Sequence, residues 1–118
     1  MHNKKKTISI ISAFYNESDN LIKFIKSFDK ARTVLLKDGY NVNLVLVNDG
    51  STDTSVITIK KIINKKKYIQ LINLTKNYGQ QIAIFTGFQK IDSDYYGAID
   101  SDGQQDPRHF IQMMKNLK

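Results

Sequence analysis

The chain has 118 residues, 41% of them hydrophobic, which suits one soluble globular domain able to bury a core without disulfides or a structural metal. Cysteine is absent, which excludes thiol nucleophiles, disulfide frameworks and cysteine-bound zinc. Eighteen basic against eleven acidic residues give a net charge of +7, which admits nucleic acid, an anionic surface or a phosphorylated ligand, and no apolar run approaches the roughly 18 residues that cross a bilayer.

In chain order, residues 7–14 (TISIISAF) are apolar and β-branched, the pattern of a strand buried on both faces. Leu21, Phe24, Ile25, Phe28 and Leu35 then share one helical face, with Lys23, Lys26 and Lys30 turned outward, and Asp38-Gly39 closes the helix. Residues 42–47 (VNLVLV) predict a second buried strand, followed by the turn and capping formers NDGSTD. From about Thr54, Val56, Ile59, Ile62 and Ile63 mark a second helix running into lysines 65–67, which favour a helix C-terminus. Residues 68–74 predict a third strand. Residues 80–90 predict a third helix, apolar almost all round and so expected to be buried, with Gly87 serving helix-sheet packing. Residues 95–99 form a fourth strand in which Tyr95 and Tyr96 pack on the sheet. A last helix, capped by Asp106 and opened by Pro107, carries Phe110, Met113, Met114 and Leu117. The alternation βαβαβαβα predicts a three-layer α/β/α fold with a mainly parallel sheet. The chain stops within the last helical pattern, which suggests a fragment of a longer protein.

Open parallel sheets bind ligands at the carboxyl ends of their strands. The polar clusters fall there: Tyr15-Asn16-Glu17, Asn48 to Asp53, Lys76 to Gly79, and Asp100 to Gln104. Asp100 and Asp102, two residues apart in a turn, can both offer oxygens to a hard divalent cation such as Mg²⁺ or Mn²⁺. Two such charges about 6 Å apart repel by roughly 3 kcal/mol at an effective dielectric near 20, so a cation is expected where both are shielded from water. Each cluster also has a plainer reading. Taken by itself the Asp100 to Asp102 segment reads as an exposed acidic loop rather than a metal site, Asn48 to Ser51 as a turn and helix cap, and Glu17, the only glutamate, as a partner of a helix dipole. The lysines at 4–6 and 60–67 read as solvated helix ends and a terminus. No aromatic and basic interleaving marks a nucleic-acid face, so nucleic acid is not expected as a partner.

Together, AFYNE (13–17), VNDGSTD (47–53), LTKNYGQ (74–80) with Gly87, and DSDGQQDP (100–107) resemble the N-terminal half of family 2 glycosyltransferases of GT-A, Rossmann-like fold. More narrowly they are similar to the polyprenyl-phosphate glycosyltransferases, which include dolichol-phosphate mannose synthases and undecaprenyl-phosphate sugar transferases. The resemblance implies a nucleotide-sugar site made of Ala13, Tyr15, Glu17, Asp49, Lys76, Asp100, Ser101 and Asp102. Within it, Ala13 and Glu17 border base and ribose, Asp49 contacts the base and Lys76 lies near it. It further implies Mg²⁺ or Mn²⁺ on Asp100 and Asp102, completed by Gln104, with those two aspartates as the catalytic pair. The sequence departs from the pattern with Ala13 for proline, Asn48 for aspartate, Lys76 for arginine, and DSDGQ for DADLQ.

The activity implied is inverting transfer of a sugar from a UDP- or GDP-sugar to a polyprenyl phosphate or glycan, in cell-surface polysaccharide biosynthesis. Residues 1–118 would then be the donor-binding part of a C-terminally truncated catalytic domain, with the acceptor site and any general base beyond it. A cytoplasmic location is expected, the full-length protein sitting at the cytoplasmic face of a membrane through segments that follow. A nucleotide-sugar-binding module without turnover is the alternative. The oligomeric state is left open.

Overall fold

The computed structural model describes residues 5–99, 109, 111 and 112. The chain runs β1 (Thr7–Phe14), α1 (Ser18–Lys37), β2 (Asn41–Asn48), α2 (Ser55–Ile63), β3 (Ile69–Asn73), α3 (Gln80–Lys90) and β4 (Tyr95–Ala98). The expected alternation therefore holds through β4. Residues 109, 111 and 112 are helical, while Asp106, Pro107 and the other residues assigned to the last helix lie outside the described residues.

All four strands are parallel, in the order β3-β2-β1-β4. Parallel pairing needs a covering layer on each face, and β1 and β2 are accordingly buried almost end to end. Side chains alternate between the two layers. Ile8, Ile10 and Phe14 of β1 join Leu44 and Leu46 of β2 beneath Phe24, Phe28 and Leu35 of α1 and Ile59 of α2. Ile11, Ala13, Val45 and Val47 face the other way, against Ala83, Ile84 and Phe88 of α3.

The third helix departs from expectation. Only Ala83 and Gly87 of α3 are buried, while Ile82 is 53% and Phe85 60% exposed. Two helices cover one face of the sheet and α3 is the helix packed on the other, so its outer side meets solvent among the described residues. Gly87 does serve close packing, since a Cβ there would stand 2.6 Å from Ile11 Cγ2 and 3.2 Å from Val47 Cγ2. Tyr95 is half-buried against the first layer and Tyr96 lies against Phe88 on the second, with ring centroids 5.4 Å apart.

At the amino ends of the strands, Asp29 of α1 accepts a hydrogen bond from Lys66 Nζ (2.6 Å) and another from the Tyr68 hydroxyl. The Arg32 guanidinium stacks 3.7 Å from the Tyr68 ring and its Nε donates to the Val42 carbonyl (2.9 Å). The hydrogen bond to Asp29 holds the Lys66 ammonium above the ordinary lysine range. Desolvation and then the bond to Asp29 push the Tyr68 phenol upward. Both folded values are raised, so the stability from this cluster is complete below the ordinary lysine and tyrosine range and is lost as pH climbs through the raised values.

Two outcomes follow from this packing. Gly87→Val lowers unfolding stability by about 1–3 kcal/mol, measured by urea denaturation, because the added methyls collide with Ile11 and Val47. Asp29→Asn is less stable than wild type at pH 8, and the difference shrinks in urea melts as the pH is raised past about 10.

Candidate functional site

The strand order reverses at β1. The chain steps outward from β1 to β2 to β3, then returns to place β4 on the other side of β1. Such a switch point opens a crevice at the carboxyl ends of the two strands flanking it, where the departing loops diverge. Here those strands are β1, which leads into Tyr15-Asn16-Glu17, and β4, which Ile99 and then Asp100 follow in sequence. The Ile99 N–H still donates to the Ile11 carbonyl (3.0 Å), so hydrogen bonding between β1 and the β4 segment continues to Ile99.

The β1–β2 ladder closes with the Asp49 N–H donating to the Phe14 carbonyl (2.9 Å). Beyond it, side chains hold the two loops together. Asn16 takes a left-handed conformation (φ 53°), which asparagine tolerates better than most residues. Its Oδ1 accepts the N–H groups of Thr52 (2.8 Å) and Asp53 (3.2 Å), and its own N–H donates to Ser51 Oγ (3.0 Å). The Glu17 N–H donates to Ser55 Oγ (3.1 Å), and the Glu17 carboxylate accepts from Asn20 Nδ2 (2.9 Å). Asp53 in turn accepts the Ser55 N–H (2.9 Å). Partial desolvation pulls the Asp53 carboxyl upward, but hydrogen bonds from Ser55 and Ser18 outweigh it and hold the group below its ordinary value.

The second and third loops are joined by Asp49. Asp49 is only 3% exposed, and each oxygen of its carboxylate accepts one backbone N–H, from Tyr78 to Oδ1 (2.8 Å) and from Gly79 to Oδ2 (3.0 Å). Hydrogen bonds to a charged acceptor contribute about 1.5–3 kcal/mol each, enough to offset much of the desolvation of this carboxylate. Gly50 lies against the same loop. A Cβ on it would stand 2.5 Å from the Lys76 carbonyl carbon and 2.6 Å from the Asn77 nitrogen, and its φ is +77°. Backbone position and backbone conformation both require glycine there. Asn48 adds a further tie, its Nδ2 donating to Asn73 Oδ1 (3.1 Å) while its Oδ1 accepts the Ser51 N–H (2.8 Å). The asparagine that departs from the family pattern thus closes the turn and bridges β2 to β3.

Of the residues expected at the site, Ala13 is buried at the end of β1, Tyr15 is exposed, Glu17 is half-buried, and Asp49 is buried among loop amides. Lys76 is exposed, its Nζ 5.2 Å from the centroid of the Tyr78 ring. These five share the rim formed by the carboxyl ends of β1, β2 and β3. Asp100, Ser101, Asp102 and Gln104 lie outside the described residues, and among the described residues no group of three or more His, Asp or Glu side chains could hold a metal ion. Two surface hollows lie away from the rim, a 370 Å³ one beside Lys5, Thr7 and Asp94 and a 450 Å³ one beside Lys61, Asn64 and Lys65.

The role of Asn16 is not visible in the sequence, because its partners are more than thirty residues away. Gly50 was legible only as a turn former. Gly50→Ala is expected to lower stability by about 1–3 kcal/mol in urea melts through the left-handed backbone and the collision with Lys76 and Asn77.

Comparison with known proteins gives this geometry a family. Residues 9–118 match the model of glycosyl transferase family 2. An undecaprenyl-phosphate 4-deoxy-4-formamido-L-arabinose transferase from Photorhabdus laumondii is 32% identical over 114 residues, which is 96% of this chain and 34% of the relative. A protein of the same name from Yersinia pestis is 33% identical over 110 residues, 92% of this chain and 33% of the relative. The chain thus spans about a third of the length of these relatives. Among solved structures, S. aureus TarS in complex with UDP-GlcNAc superposes with a TM-score of 0.75 at 20% identity, over 94% of this chain and 31% of that one. Mannosyltransferase PcManGT from Pyrobaculum calidifontis, in complex with GDP-Man and Mn²⁺, gives 0.69 at 18% identity, over 92% of this chain and 31% of that one. The architecture is that of the GT-A glycosyltransferases, and the chain belongs to glycosyltransferase family 2.

Proposed function

We propose that this chain forms the donor half of a glycosyltransferase that transfers a sugar from a UDP- or GDP-sugar to a polyprenyl phosphate, with inversion at the anomeric carbon. The observation that carries the reading is the convergence of Tyr15, Glu17, Asp49 and Lys76 on one sheet edge, beside the switch point and the strand that leads to Asp100. The acceptor class follows the undecaprenyl-phosphate relatives, and the donor class follows the structural neighbours bound to UDP-GlcNAc and GDP-Man.

In this reading the nucleoside lies across the β1 and β2 loops. Ala13 is small enough to let the base approach the end of β1, with Tyr15 and Glu17 at the same loop. Each Asp49 oxygen accepts one backbone N–H and keeps a further lone pair, so the carboxylate can also accept an N–H of the base. Lys76 supplies positive charge on the far side. Asp100 and Asp102, with the amide oxygen of Gln104, are the groups that would hold Mg²⁺ or Mn²⁺, and Ser101 between the aspartates belongs to the nucleotide-sugar site. Their all-oxygen donor set suits hard divalent cations. When bound, such an ion neutralises the negative charge that develops on the departing diphosphate. A lipid phosphate is already ionised at neutral pH and attacks the anomeric carbon without a strong general base; a hydroxyl acceptor would need one. Attack on the face opposite the diphosphate inverts the configuration.

The whole protein would work at the cytoplasmic face of a membrane. No helix among the described residues is long and apolar enough to cross one. A binding module without turnover remains the second reading, favoured by Gly103 in place of leucine in the metal-binding segment.

Titration calorimetry of the chain with UDP- and GDP-sugars, with and without Mn²⁺, tests the donor site. Metal-dependent binding of one nucleotide is expected, and Asp102→Ala is expected to abolish it while leaving the circular dichroism spectrum unchanged. Metal-independent affinity, or full affinity in the variant, would remove Asp102 from the site. Sugar transfer to polyprenyl phosphate by the full-length protein separates enzyme from passive binder.

A further inference from the structure

We propose that Asn16 is a positioning residue for donor binding, a clamp that sets the spacing between the loop carrying Tyr15 and Glu17 and the loop carrying Asp49. The inference rests on the donor reading of this rim. The main-chain ladder between β1 and β2 ends at the bond from the Asp49 N–H to the Phe14 carbonyl, so the two loops beyond it are free to splay unless side chains hold them. Asn16 supplies most of that hold from one residue. Its Oδ1 bridges two consecutive amides, Thr52 and Asp53, its Nδ2 donates to Thr52 Oγ1 (3.3 Å), and its main-chain N–H reaches Ser51 Oγ.

The left-handed backbone at Asn16 (φ 53°) turns the chain as it leaves β1, and the side chain spans the gap to residues 51–53. Glycine keeps that backbone and loses the bridge; aspartate keeps the bridging oxygen and loses only the bond to Thr52 Oγ1. The second loop is tied in turn to the third through Asp49 and Gly50, so releasing the Asn16 side chain leaves the loop of Tyr15 and Glu17 held to that unit through the main-chain N–H groups of Asn16 and Glu17, on Ser51 and Ser55. Loops that must be brought into order on binding reduce affinity, whereas loops already held do not. Asn16 therefore acts through its neighbours and need not touch the nucleotide.

The experiment compares wild type, Asn16→Gly and Asn16→Asp in the full-length protein. It measures affinity for UDP and for GDP with Mn²⁺ at physiological salt, which screens the added charge of the aspartate. Amide hydrogen exchange at Thr52 and Asp53 and the melting temperature are followed in parallel. Expected are faster exchange at both amides in Asn16→Gly and nucleotide affinity about tenfold weaker, the equivalent of one to two lost hydrogen bonds, with little change in melting temperature. Asn16→Asp is expected to recover wild-type exchange and to bind within about threefold of wild type, since the bridging oxygen is retained. Wild-type affinity in Asn16→Gly overturns the inference, as does an Asn16→Asp protein as weak as the glycine variant. A wild-type protein that binds neither nucleotide overturns the donor reading itself, and the clamp falls with it.

Discussion

The arrangement of the rim depends on one buried carboxylate. Asp49 is buried just past the end of β2, and a carboxylate in that position is satisfied by two main-chain amides from another loop that point at it. The requirement works in both directions. Asp49 takes one N–H from each of Tyr78 and Gly79, and those two amides, at the entrance to α3, find in it an acceptor that the helix does not supply. Gly50 lets the two backbones come close enough for the exchange to happen. What looks in sequence like a turn is the point where the second and third βα units are fastened together.

From that fastening the rest of the edge can be traced residue by residue. Lys76 is placed by the same loop that donates to Asp49. Asn48 reaches sideways to Asn73 and back to Ser51, and residues 51–53 are then available for Asn16 to grip. The side chains proposed to meet a nucleotide thus stand on loops whose own hydrogen bonds run mostly to other loops. The sheet contributes the common level from which those loops depart, and the reversal of strand order at β1 contributes the gap between them.

Much of the scaffold was legible in the sequence for a simple reason. Strands buried on both faces are mostly apolar, and a helix on one face repeats its apolar residues every three or four positions; residues 7–14 and 42–47, interrupted by Thr7, Ser9, Ser12 and Asn43, show the first pattern and residues 21–35 the second. The third helix shows where that logic fails. Ile82, Ala83, Ile84 and Phe85 are apolar in succession, which suggests burial on all sides, yet periodicity carries no information on how many layers lie outside a helix, and Ile82 and Phe85 face outward. The candidate site divides in the same way. Tyr15, Glu17, Asp49 and Lys76 could be picked out because polar groups at strand ends are conspicuous. The internal work of Asp49, the grip of Asn16 and the closeness of Gly50 to Lys76 could not, since each is defined by a partner 26 to 37 residues away.

The register of the sheet has a consequence for how the edge can change. Phe14 pairs with Asn48 and Asn48 with Asn73, so three strands end flush, whereas β4 stops opposite Ile11. A slip of one residue would exchange the side chains packed under α1 and α2 with those packed under α3, so a strand keeps its packing only if it shifts in steps of two, about 6.6 Å along its length. The height of each loop is consequently quantised. Small adjustments needed to suit one sugar nucleotide over another must come from the loops themselves, because the strands beneath them offer no intermediate setting.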